Sequence, residues 1–140
     1  MKIYIVSLVI YVFSFEAFAC SCRLGSVEEK FKSHEEIFVG TVDSIKYLDA
    51  KNAFGDQRII VSFKVERNWK GKGSSKILHT ANNGMGCYGY WFKEGEDYLV
   101  YSFEEDEGRL NTMWCGGVIP KESEKNEFEN EVIVLNELAN

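Results

Sequence analysis

Four cysteines are the residues of this 140-residue chain best placed to do chemistry. Cys20 and Cys22 stand one residue apart near the amino terminus, and Cys87 and Cys115 lie far down the chain. Four cysteines allow three pairings. A bridge between Cys20 and Cys22 would close a loop too tight for relaxed disulfide geometry and would constrain almost nothing, so that pairing is discarded. Both remaining pairings tie the Cys20 to Cys22 segment to two distant points. Each closes loops of roughly 65 to 95 residues, for which chain entropy gives a ceiling of about 4 kcal/mol per bridge. A zinc site made from these cysteines and His79 is the weaker reading, because no C-x2-C spacing is present.

The residues ahead of Cys20 decide what its nitrogen can do. Lys2 gives a positive start, Ile3 to Phe15 form an almost unbroken apolar run, and Ala17-Phe18-Ala19 has the small-x-small form of a cleavage site. Residues 1–19 are therefore read as a signal peptide and residues 20–140 as one exported domain that begins on Cys20. Glu16 cuts the apolar run short of the roughly 20 residues a membrane span needs, which weighs against an anchor, and no transmembrane segment is expected in the mature chain. Lipidation at Cys20 is the alternative. The bulky Phe18 makes a poor lipobox, and acylating Cys20 would leave three cysteines, an odd number in an oxidising compartment. The expected location is secreted, periplasmic or cell-surface.

Other constellations are absent or bland. No H-E-x-x-H, phosphate loop or nucleophile elbow occurs, and the chain is read as not an enzyme, with no catalytic residues, no cofactor and no metal of its own. His34 and His79 are too far apart in sequence to imply a site. The acidic run Glu104 to Glu107 reads as a solvated turn rather than a Ca2+ loop. Trp69, Trp91 and Trp114 are expected to fill the core or cover its ends rather than form a stacking surface. The 22 acidic and 16 basic side chains give a net charge of −6, and without a Lys/Arg cluster nucleic acid is excluded as a partner. A monomer is expected.

These residues must be positioned by a small core, for which 45% hydrophobic and 14% aromatic residues suffice. Ser26-Val27-Glu28-Glu29 has the form of a capping box, which predicts a short surface helix to about Lys32, packed through Phe31. Ile37 to Leu48 reads as a strand with a bend at Gly40, and Asp49 to Asp56 as a polar turn. Ile59, Val61, Phe63 and Val65 alternate with more polar neighbours, the period of a half-buried strand ending near Trp69-Lys70-Gly71. Lys76 to Thr80 is a further strand, and Ala81 to Tyr90 a Gly/Asn-rich loop holding Cys87. Tyr98 to Phe103 and Arg109 to Met113 form a hairpin. Phe128, Val132, Leu135 and Leu138 recur at helical spacing in a terminal amphipathic helix. The fold class is mainly β, a five-stranded closed barrel with flanking helices.

Several stretches together resemble the netrin-like domain, specifically the inhibitory domain of the tissue inhibitors of metalloproteinases in a single-domain, bacterial-type form. They are Cys20-Ser21-Cys22 at a processed terminus, Phe38 to Val42, Trp69-Lys70-Gly71, Cys87 after a Gly-rich loop, Glu94 to Val100, and Cys115 before the final helix. The resemblance implies an OB-fold barrel and the pairings Cys20 with Cys87 and Cys22 with Cys115. It further implies a secreted inhibitor whose Cys20 α-amino group and carbonyl oxygen chelate the catalytic zinc of a metalloprotease. Ser21 would point into the specificity pocket, and Cys20, Ser21, Cys22, Arg23, Gly84, Met85 and Gly86 would form the contact ridge. An open zinc position accepts such an N,O donor in place of water, and two disulfides would pre-organise it. The donor is the neutral amine, with an ordinary pKa of about 7.7 to 8.0, so chelation is expected to weaken as pH falls below that range. The alternative function is an extracytoplasmic protein- or glycan-binding OB module with purely structural disulfides.

Overall fold

The computed structural model describes residues 25–82 and 87–140. Three helices and six strands follow in the order α1 (Val27–Ser33), β1 (Glu36–Lys51), β2 (Gln57–Lys70), β3 (Ser75–Ala81), β4 (Asp97–Glu105), β5 (Arg109–Thr112), α2 (Trp114–Gly117), β6 (Val118–Pro120) and α3 (Lys125–Leu138). The chain is mainly β. All six strands belong to one sheet, ordered β1-β2-β3-β5-β4-β6, and β1 also pairs with β4. Every pairing is antiparallel except the single β3–β5 link at Leu78 and Leu110.

The long β1 strand serves two neighbours, and its register with β2 shifts between Val39 and Gly40. At Gly40 the backbone of β2 comes so close that a Cβ would lie 2.9 Å from the carbonyl oxygen of Lys64. The bend expected there therefore has a steric cause: only glycine lets the two strands approach. The alternation expected in β2 is also present, with Ile59, Val61 and Phe63 all buried and their intervening neighbours partly or fully exposed.

Two packed clusters divide the apolar residues. Phe38, Val42, Ile59, Val61, Phe63, Leu78, Phe92, Tyr98 and Val100 form one. Ile37, Val39, Leu99, Tyr101 and Ile119 form the other, together with Phe128 and Leu135 of α3. Successive strand residues point to opposite faces, so β1 and β4 contribute to both clusters and are buried on both sides.

The structure corrects the sequence reading at several points. Among the described residues there are six strands rather than five. Val118–Pro120 pairs with β4, and its Pro is tolerated because β6 lies at the sheet edge. The polar turn is shorter than expected, since β1 runs on to Lys51. Helix α1 has its capping box, with Ser26 Oγ accepting from the Glu29 N–H, and Phe31 packs half-buried against the second cluster as expected, but the fully buried residue on the helix is Lys30. On α3 the buried residues are Phe128, Glu131 and Leu135, and Leu138 is exposed. No helix among the described residues is long and apolar enough to cross a membrane.

Candidate functional site

The segments carrying Cys87 and Cys115 meet where the loop after β3 crosses the end of β5. Tyr88 and Met113 form an isolated antiparallel bridge. The N–H of Gly89 donates to the carbonyl of Thr112 (3.2 Å), and the N–H of Trp114 donates to the carbonyl of Cys87 (3.1 Å). These bonds sew the two cysteine-bearing segments together. Because Cys115 follows Trp114, chain geometry keeps the Cα atoms of Cys87 and Cys115 within roughly 11 Å. Neither cysteine is a free thiol.

Both cysteines sit at sharp changes of direction. Cys87 has φ of 65°, in the left-handed region that a residue with a Cβ seldom occupies. Cys115 is followed by Gly116 at φ 74° inside the kinked α2 turn. The turn is tied down from beneath: the Gly117 N–H donates to the Met113 carbonyl (3.1 Å), and the buried Thr112 hydroxyl donates to the Tyr101 carbonyl (2.7 Å).

Helices α1 and α3 brace the same turn through a buried polar network. Lys30 Nζ contacts both Glu131 carboxylate oxygens and lies 3.5 Å from the Gly116 carbonyl, while the Tyr101 hydroxyl donates to Glu131 Oε2 (2.6 Å). Burial, reinforced by that hydrogen bond to a carboxylate, pushes the Tyr101 phenol well above its ordinary pKa, so it remains a donor. His34 stacks edge-on against Tyr101, and its Nδ1 lies 2.9 Å from the Lys30 carbonyl. Burial holds its imidazole below the ordinary value, opposed by that backbone contact. None of this network was expected from sequence, because a Lys and a Glu on two amphipathic helices read as solvated.

Aromatic side chains surround the junction. The rings of Trp91 and Trp114 are 5.7 Å apart at 61°, and the two residues are 54% and 45% exposed. Tyr88 packs edge-on against Phe103 (6.1 Å). The expectation that all three tryptophans fill or cover the core thus fails for Trp91 and Trp114, which form an open pair. Trp91 stands in the consecutive aromatic run Tyr90-Trp91-Phe92, which has no period from which its exposure could be read. Trp69 does pack against the second cluster, and its indole N–H donates to Asn136 Oδ1 (2.8 Å).

All residues of the expected ridge, Cys20, Ser21, Cys22, Arg23, Gly84, Met85 and Gly86, lie outside the described residues, as does the expected signal peptide. Among the described residues, no group of three or more His, Cys, Asp or Glu side chains is arranged to hold a metal ion. In comparisons with known proteins, no family model matches the chain and no curated protein matches it.

Proposed function

We propose that the chain is an exported netrin-like inhibitor of zinc metalloproteases, acting through the α-amino and carbonyl groups of Cys20. The observation that carries this reading is the junction of Cys87 and Cys115. A C-x-C segment spans only about 7 Å between its outer Cα atoms, and a disulfide adds at most about 7 Å at each end. Two partners for such a segment must therefore lie within roughly 20 Å of one another. In a domain with a radius of gyration of about 13 Å many residue pairs meet that bound, so it is a condition the junction has to satisfy and not a signature by itself. The Tyr88–Met113 bridge and the Trp114 to Cys87 hydrogen bond satisfy that requirement with room to spare.

On this reading Cys20 pairs with Cys87 and Cys22 with Cys115, so the terminal nitrogen is held on a rigid base. A closed OB-type barrel is supported by the pairing circuit, in which β1 to β5 each have at least two sheet neighbours and β1 meets both β2 and β4. Rigidity matters because a free terminus would lose ordering entropy on coordinating the metal.

A one-residue extension tests the proposal. Adding a single Ala ahead of Cys20 in the exported protein displaces the chelating amine while leaving both bridges possible. The expected result is an unchanged thermal unfolding midpoint with loss of inhibition across a panel of zinc metalloproteases. Equal inhibition by the extended form, or no inhibition by either form, refutes the proposal. An acyl adduct on Cys20 in the intact mass would do so as well, since an acylated nitrogen is no longer a donor.

A further inference from the structure

Helix α1 is the first described element after Cys22, and little apolar packing holds it. It has seven residues, fewer than the dozen or so an isolated helix needs in water, so tertiary contacts set its place. Lys30 is its one buried residue, while Val27 and Phe31 are half-buried against the second cluster. Two lysines complete the hold. Lys70 Nζ donates to the Phe31 and His34 carbonyls at the far end of the helix (2.8 and 2.5 Å), and Lys30 reaches across to α3 and to the Cys115 turn. The near end is close in sequence to the cysteines: Arg23, Leu24 and Gly25 alone separate Cys22 from the Ser26 cap.

The Lys30 ammonium has three N–H donors and three acceptors in reach. Two are the Glu131 carboxylate oxygens (2.5 and 2.7 Å), and the third is the Gly116 carbonyl (3.5 Å). An apolar pair of similar volume would hold α1 against α3 about as well. It would not bond to the backbone of the residue that follows Cys115. That donor is what the ion pair adds.

We propose that Lys30 is a positioning residue for the chelating terminus. A disulfide fixes two sulfur atoms yet tolerates Cα separations of about 4.4 to 6.8 Å, so bridges alone would leave the Cys20–Cys22 backbone free to tilt. With Cys22 bridged to Cys115, the Lys30–Gly116 contact closes a short ring that runs from Cys22 along the chain to Lys30, across to Gly116, and back through Cys115. The ring fixes the direction of that backbone and with it the aim of the Cys20 nitrogen, so less ordering entropy is lost when the amine meets the metal. The inference rests on the inhibitory reading and on that pairing.

The test compares the exported wild type with Lys30→Met/Glu131→Leu, which replaces the pair by apolar side chains and removes the donor to Gly116. Amide hydrogen exchange and inhibition of a zinc metalloprotease are both read under conditions where the proteins stay folded. In the double variant the α1, Gly116 and Gly117 amides are expected to exchange at least about tenfold faster, while the β2 amides change less, and inhibition should weaken about tenfold. Val61→Ala, in the first cluster away from the pair, should lower the unfolding midpoint and leave inhibition by the folded protein unchanged. A measurement on the wild type needs no variant to fold: the Lys30 ammonium protons should show nuclear Overhauser contacts to the Gly116 α-protons. The proposal is overturned if those contacts are missing, if the double variant keeps wild-type exchange or inhibition, or if Val61→Ala weakens inhibition as much. A wild type that inhibits no metalloprotease refutes the inhibitory reading, and this inference falls with it. A wild type that inhibits, beside an equally inhibitory double variant, refutes this inference alone.

Discussion

Lys30 and Glu131 lie 101 residues apart in sequence and meet as a buried two-pronged ion pair, with Nζ–O distances of 2.5 and 2.7 Å. The two residues are 8% and 9% exposed. The pair joins α1 to α3 and, through the Gly116 carbonyl, reaches the turn that carries Cys115. A buried pair adds little over a well-packed apolar pair, yet removing one member strands the other charge, at a cost of about 3 to 5 kcal/mol. Glu131→Leu is therefore expected to destabilise the protein by about that amount, because it leaves both the Lys30 ammonium and the Tyr101 hydroxyl unpaired. Adding Lys30→Met to it should recover part of the loss. Urea unfolding of the wild type, both single variants and the double variant measures this. A double variant less stable than Glu131→Leu alone would show that stranded charge is not the cause.

His34 introduces a pH dependence close to neutrality. Burial lowers its folded pKa below the value of about 6.5 that it has in the unfolded chain, and the Lys30 and Lys70 charges act in the same direction. Between those two values the unfolded chain binds more protons than the folded one, so stability rises with pH. The contribution is whole above about pH 6.5 and is lost as the pH falls below it. His34→Asn removes the titration and keeps a donor beside the Lys30 carbonyl. The wild type is expected to lose more stability than His34→Asn between about pH 7 and pH 5, as read from urea midpoints. Parallel losses in the two proteins would contradict this.

How much of this was legible in the sequence depended on how each element is covered. β2 was plain because one face meets the core and the other meets water, so Ile59, Val61 and Phe63 alternate with polar residues. β1 and β4 are buried on both faces and read only as apolar runs, with Gly40 marking the bend. β6 was missed because three residues ending in Pro120 give no periodicity, and only pairing with β4 makes them a strand. The Ser26–Glu29 capping box was readable because it is local, with a span of three residues. The Lys30–Glu131 pair was not, since its burial is decided by another helix. At the candidate site the cysteines themselves were evident. What brings the segments of Cys87 and Cys115 together was not, because the bridge between Tyr88 and Met113 is a tertiary contact with no local signature.

Trp91 and Trp114 make the last prediction. Side chains that are half exposed contribute little to the core, so Trp91→Ala and Trp114→Ala should each change stability by no more than about 1 kcal/mol. The backbone N–H of Trp114 that bonds to Cys87 survives in the alanine variant, so the cysteine junction is preserved. If a protease docks against this junction, the exposed indoles fall within its footprint, and tryptophans at such positions commonly carry about 2 kcal/mol or more of binding energy, roughly thirtyfold in affinity. The double variant is accordingly expected to retain its unfolding midpoint within a few degrees and to inhibit at least about tenfold less tightly. Full inhibition by a stably folded double variant would place the contact surface elsewhere on the molecule. A large fall in the midpoint would instead mean that the indole pair holds the Cys115 turn in place.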